Sequence, residues 1–249
     1  MSVVLVLASD GIAHVILNRP ESRNALNLQM CEELAAAMQR LGEDESVRVA
    51  IVRAHGPVFC AGADLKERQS MDAAQTRARR MKAFAAYGAI ESFPKPVIAV
   101  VQGACVGSGC EIAACCDFIY CSDKATFRTP ESLWGTLGAT QRLPRIIGKR
   151  LAKEMLFTGR TLTAQESLDA RLVNRVLPEA QVLEAAQEAA RIIADAPAAA
   201  IALAKRCVDR GAELDGKGAL ALEIEAIDEM LAATDWKSNI AAFGKKPEQ

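Results

Sequence analysis

The sequence predicts an α/β core followed by a region built from helices alone. Three observations carry this. Apolar β-rich runs alternate with helical periodicities in the order strand, strand, helix, strand, helix, strand, helix, strand. Val97-Ile98-Ala99-Val100-Val101 follows Pro94 and Pro96 as an unbroken apolar run, the pattern of a strand covered on both faces. Beyond about residue 178 the strand pattern stops. There Val182, Ala186, Ala190 and Ile193 make one helical stripe, and Leu220, Ile224, Ile227 and Leu231 make another opposite Glu225, Asp228 and Glu229. We therefore expect an α/β core over residues 1–190 and a helical region over 191–249, which covers its own core or a partner subunit.

The elements follow in order. Residues 3–7 and 12–17 flank Ser9-Asp10-Gly11, and Asp-Gly favours a tight hairpin turn. A helix is expected after Asn27, because Met30, Leu34, Met38 and Leu41 recur at helical spacing. Val47 to Ala54 is a strand that runs into the loop His55-Gly56-Pro57. A short helix from Ser108 and a strand from Phe118 to Cys121 come next.

Composition narrows the function. Of 249 residues, 51% are hydrophobic and 24% charged, ordinary values for a globular enzyme. Aromatic residues make up 4% and the net charge is −1, which argues against base stacking or a basic groove as the main activity, so no nucleic-acid partner is expected. No apolar run approaches the roughly 18–20 residues of a membrane span, and no membrane partner is expected. The N-terminus lacks a basic leader and meets Asp10-Gly11 at once, so the cytoplasm is the expected location, or an organelle matrix after processing. Eight cysteines without a CxxC pair, and two distant histidines, fit small buried hydrophobes better than a metal site or a nucleophilic triad.

Two glutamates stand where the pattern reads as buried. Glu111 lies in Gly107-Ser108-Gly109-Cys110-Glu111, and Glu131 follows Pro130. Two carboxylates facing one substrate have separated pKa values and can act as base and acid at neutral pH. Each segment also has a purely structural reading. Ser108 and Glu111 have capping-box spacing, Asp64 can cap a helix after Phe59-Cys60-Ala61-Gly62-Ala63, and Pro130-Glu131 can open a helical turn. The glycines do not form GxGxxG, so a dinucleotide site is not expected.

Taken together, the chain resembles the crotonase superfamily of enoyl-CoA hydratases and isomerases along essentially its whole length. The matching residues are Asn18-Arg19-Pro20 with Asn24-Ala25-Leu26, the Cys60–Arg68 segment, Lys95 to Val100, Gly109-Cys110-Glu111 with Cys116-Asp117, Pro130-Glu131, Thr140-Gln141-Arg142-Leu143 and Thr158-Gly159-Arg160. The Cys60–Arg68 stretch and the acidic helix from Leu214 look similar to the 3-methylglutaconyl-CoA hydratase branch, some members of which bind RNA. The resemblance implies a spiral of ββα turns with a C-terminal helical region that builds homotrimers, often paired into hexamers. It implies that backbone N–H groups of Ala63 and Ser108 bind the thioester oxygen, that Glu111 activates water, and that Glu131 delivers the proton to the α-carbon.

Hydratases of the family use both glutamates, whereas several isomerases keep only the second, so reversible syn hydration of a 2-enoyl-CoA is the expected activity. A Δ3-Δ2-enoyl-CoA isomerase or other crotonase-type lyase is the alternative, and a non-catalytic acyl-CoA- or RNA-binding protein is another. The implied chemistry needs no metal or redox cofactor. Coenzyme A enters as part of the substrate, expected near Arg23, Ala25, Ala61 and Asp64, with Lys66 or a neighbouring subunit's Lys246 at its phosphates. Pocket walls are expected from the Gln69–Glu91 region and Trp134. Three departures stand out: Ser108 replaces the usual glycine, the loop Gly135 to Thr140 is about three residues short, and Arg171 stands where glycine is common.

Overall fold

The computed structural model describes residues 2–233 together with Trp236 and Lys237. The chain divides into two compact units, residues 1–194 and 195–249. In the first, β1 (Val4–Ser9) and β2 (Ile12–Leu17) form the expected hairpin, and Asp10 and Gly11 turn it with φ of 51° and 77°. Asn27 caps α1 (Leu28–Glu43), its side chain accepting from the Met30 amide at 2.9 Å, and Met30, Leu34, Met38 and Leu41 are buried. Next come β3 (Val49–Ala54), the short α2 (Leu65–Arg68), α3 (Ala73–Glu91), β4 (Val97–Val101) and β5 (Ala104–Val106). After them lie α4 (Ser108–Ala114), β6 (Phe118–Ser122), β7 (Thr126–Arg128) and a 3-10 turn at Glu131–Trp134. The unit continues through α5 (Arg142–Ile147), α6 (Lys149–Thr158), β8 (Thr161–Thr163), α7 (Ala164–Asp169), β9 (Arg175–Leu177) and α8 (Glu179–Asp195).

The main sheet has the order β1-β2-β3-β4-β6-β9 and is parallel except for β1 against β2; a second sheet has the order β5-β7-β8. Every residue of β4 is buried, because side chains leave both faces into apolar cores. Ala50, Val52, Ala99 and Val101 join the core containing Met30 and Leu34 of α1 and Ala83 and Ile90 of α3. Val49, Ile51, Ile98 and Val100 face Val182, Ala186 and Ala190 of α8. All described cysteines but the half-buried Cys207 are buried, the use expected of small hydrophobes.

This arrangement sends the chain past the carboxyl ends of β3 and β4 into the segments 59–64 and 105–111, the place where open parallel sheets carry ligands. Arg171, at the position where the resemblance favours glycine, keeps the left-handed turn with φ 61°. In the second unit α9 (Ala198–Gly211) packs on α10 (Gly216–Ala233), with Arg206 and Glu229 paired at 2.5 Å. The stripe Leu220, Ile224, Ile227 and Leu231 of α10 is exposed in the single chain, each residue by more than two-fifths.

Candidate active site

The loop segments of the site are fixed by backbone pairing. Cys60 donates to the Ala104 carbonyl at 3.2 Å and accepts from the Val106 amide at 2.9 Å. The two strands approach so closely that a Cβ on Gly109 would meet the Cys60 carbonyl oxygen at 2.7 Å, which only glycine avoids. On the other side, Leu26 donates to the Gly62 carbonyl at 2.8 Å and accepts from the Asp64 amide at 2.9 Å. In a parallel bridge one residue bonds to the neighbours of its partner, so the partner's own groups face away. Ala63 is that partner, and its N–H is turned from Leu26. Buried Asn24 holds this region together, accepting from the Arg19 amide and donating to the carbonyls of His55 and Val58, each at 2.8 Å.

Gly107, with φ 52° and ψ −108°, then opens α4 with no side-chain cap. The capping box that Ser108 and Glu111 could have formed is absent, because the Glu111 carboxylate turns elsewhere. Neither the Ala63 nor the Ser108 amide donates to another described group. Both residues line a cavity of about 290 Å³ that also takes in Glu111, Glu131, Tyr87, Arg80 and Gly138.

Glu111 is 6% exposed. Its Oε1 accepts from the Ala139 amide at 2.6 Å and its Oε2 from Arg142 at 3.2 Å. Arg142 is held in turn by Glu91, which accepts from its Nε at 3.0 Å and its Nη2 at 2.6 Å. Ala139 takes φ 53° to aim its N–H. These partners leave lone pairs of Glu111 free for a water in the cavity.

Glu131 is built differently. Its Oε2 is buried without a hydrogen-bond partner among the described residues. Its Oε1 lies 2.6 Å from where a Cβ on Gly107 would stand and 2.8 Å from one on Gly138, so two glycines make its space. Burial pushes its pKa up; its own backbone amide opposes this, the charge of Glu111 adds to it, and Arg80 opposes it. Glu131 is thus the carboxyl biased to hold a proton. Gly138 touches Glu131 and Ala139 touches Glu111, so one short loop places both acids.

Other sequence expectations fall around this centre. Ala61 lines the cavity and donates to the Arg23 carbonyl at 3.0 Å, while Arg23, Ala25, Asp64 and Lys66 stand outside its lining. Asp64 caps α2, as its structural reading had it, and pairs with Arg19 at 3.0 Å. Arg23 and Lys66 are exposed. Lys246 lies outside the described residues. The α3 wall is present, with Thr76, Arg79, Arg80, Ala83, Phe84 and Tyr87, and Trp134 also lines the cavity, standing at its mouth 74% exposed.

Sequence reasoning did not name Ala139, Arg142 or Gly138 as site residues, and it gave the α3 wall as a region without singling out Tyr87. The signal available for them was the glycine pair in Gly135 to Gly138 and the arginine in Thr140-Gln141-Arg142-Leu143. It also gave no role to two arginines within the segments it quoted. Arg68 and Arg80 line both the cavity and the open pocket of about 820 Å³ beside it. Arg80 donates to Thr136 Oγ1 at 2.8 Å. Burial, then the charges of Arg80 and Arg79, hold the Arg68 guanidinium below its usual pKa. Arg79 is neutralised by Glu67 at 3.1 Å, whereas Arg68 and Arg80 have no ion pair among the described residues.

Comparison with known proteins agrees along the whole chain. The family model described as enoyl-CoA hydratase/isomerase matches residues 8–249. The short-chain-enoyl-CoA hydratase of Clostridium acetobutylicum is 36% identical over 248 residues, covering 97% of this chain and 95% of that protein. The mitochondrial enoyl-CoA hydratase domain-containing protein 2 of Homo sapiens is 38% identical over 245 residues, 95% of this chain and 84% of that protein. The crystal structure of an enoyl-CoA hydratase from Bacillus anthracis superposes with a TM-score of 0.94 at 33% identity, covering 98% of this chain and 96% of that one.

Proposed function

This chain belongs to the enoyl-CoA hydratase/isomerase family and has the α/β crotonase fold, and we propose that it catalyses the reversible syn addition of water to a 2-enoyl-CoA. The observation that carries this reading is the convergence of Glu111 and Glu131 on one cavity that also holds the free amides of Ala63 and Ser108. Attack of water at the β-carbon moves negative charge onto the thioester oxygen, where two aimed N–H groups stabilise it. In this reading Glu111 orients the water and takes its proton, and Glu131 gives a proton to the α-carbon. A Δ3-Δ2 isomerisation would need only the second acid, and the donors gathered on Glu111 favour hydration. Loss of absorbance of the conjugated thioester of crotonyl-CoA tests it. Glu111→Gln and Glu131→Gln should each abolish most turnover, and full turnover by Glu111→Gln would reject the base role.

The acyl group is read from the arginines. A 3-methylglutaconyl group ends in a second carboxylate, and Arg68 and Arg80 supply two cations on the cavity wall without an ion pair among the described residues, which supports the branch that the Cys60–Arg68 stretch resembles. A 2-pentenoyl-CoA compared with its analogue ending in a carboxylate tests this. The carboxylated substrate should have the higher kcat/KM, and Arg68→Gln should shrink that ratio; a preference for the uncharged substrate would reject the branch. We read the exposed stripe of α10 as a homotrimer or hexamer interface, since a row of four half-exposed aliphatic side chains is costly to leave in water.

A further inference from the structure

Tyr87 and Ser108 bring two hydroxyl-bearing side chains to the lining of one cavity. Tyr87 stands on α3, is 3% exposed and lines the cavity beside Ser108 and Glu111. Its ring cannot swing freely. Phe84 meets it edge-on with centroids 6.1 Å apart, and the Arg142 guanidinium lies 5.8 Å from its centroid. Arg142 is itself anchored to Glu91 and Glu111. The phenol neighbours the Ser108 side chain, and burial keeps it protonated. Both Glu111 oxygens take their described hydrogen bonds from Ala139 and Arg142, and neither hydroxyl donates to them.

A count of protons gives the consequence. Two hydroxyls hold two donor protons, and one bond between them uses only one. Of the two, the phenol is the more acidic, so in such a pair it would be the donor and Ser108 Oγ the acceptor. The serine proton would then have no acceptor among the described residues, in a cavity lined by Ala63 and Ser108 themselves. We infer that Ser108 Oγ–H, oriented by Tyr87, is a third hydrogen-bond donor to the substrate's thioester oxygen. Ser108 is then a catalytic residue through its side chain as well as its amide, and Tyr87 is a positioning residue. This rests on the reading of the Ala63 and Ser108 amides as the site of that oxygen. It concerns a side chain that stands where the family pattern has glycine.

The test reads the carbonyl directly. Butyryl-CoA labelled with 13C at the thioester carbon binds without reacting, and its infrared C=O stretch falls as hydrogen bonds to the oxygen strengthen. Ser108→Gly keeps the amide and removes the hydroxyl. The bound stretch should move to higher frequency, and kcat on crotonyl-CoA should fall by about tenfold with KM little changed, the loss expected for one such bond. Tyr87→Phe should move both readouts in the same direction by less. The double variant should match Ser108→Gly alone, because Tyr87 acts through the serine. An unchanged stretch in Ser108→Gly overturns the inference, as does a fully additive double variant. If wild type shows the lowered stretch and its loss in Ser108→Gly but hydrates nothing, the hydratase reading fails and the third donor stands. If hydration proceeds and the stretch is indifferent to Ser108, the third donor alone falls.

Discussion

Gly138→Ala is the substitution that separates the place of Glu131 from the stability of the fold. The new Cβ would stand 2.8 Å from Glu131 Oε1 and 3.0 Å from its Cδ and Cγ, whereas ordinary contact begins at 3.4 Å. The carboxyl group must therefore retreat by more than half an ångström. Gly138 has no left-handed backbone angle to lose, and the obstacle is the end of a flexible side chain, so the fold should yield cheaply. Misplacement of a reacting group by about 1 Å costs on the order of 100-fold in rate. We expect kcat for crotonyl-CoA hydration to fall by roughly 30- to 100-fold on that scale, with a melting temperature close to wild type. Gly135→Ala provides the contrast. Nothing lies within 4 Å of its Cβ, but φ is 67°, so it should lose about 1 kcal/mol of stability and keep most of its turnover. Paired thermal melts and initial rates decide. Full activity in Gly138→Ala would refute the claim that the seat of the Glu131 carboxyl limits the reaction.

Three further outcomes follow from the same geometry. A buried carboxyl whose folded pKa is raised stabilises the fold less as pH climbs from its unfolded value, about 4.3, through its folded value. Glu131→Gln should thus melt above wild type at pH 7.5 and lose that advantage below about pH 4; equal melting at pH 7.5 would contradict the burial of an uncompensated acid. Arg142→Met removes the guanidinium shared by Glu111 and Glu91, and kcat should drop roughly 10- to 100-fold. Arg142→Lys should not restore it, because an ammonium cannot replace the planar fork; rescue by Lys would show that charge alone suffices. Light scattering of the purified protein should give three or six chains per particle, and Ile224→Glu with Ile227→Glu should lower that number; a monomeric wild type would remove the interface reading of α10.

What the sequence made legible follows local rules. The β4 run, the Asn27 cap and the stripe of α1 are set by burial and capping within a few residues, and the structure has each of them. Gly109 leaves room for the Cys60 carbonyl and Gly107 for the Glu131 carboxyl, and which neighbour each glycine serves is set only by the tertiary fold. Glu111 was the harder case. Its spacing from Ser108 fits a capping box, and only the tertiary position of Ala139 and Arg142 decides that the carboxylate turns away from its own helix. Arg68 and Arg80 come from different helices, and nothing local reveals that both reach one cavity without an ion pair among the described residues. Trp134, expected as a pocket wall, does line the cavity, but only the turn at Gly135 shows that it stands exposed at the mouth.

Crystals of the Glu111→Gln protein soaked with crotonyl-CoA test the convergence of the paired acids most directly. The account predicts the thioester oxygen within hydrogen-bond distance of the Ala63 and Ser108 amides, the β-carbon on the side of residue 111 and the α-carbon facing the Glu131 carboxyl. An acyl chain bound with its double bond away from either side chain, or its oxygen away from those amides, would contradict it.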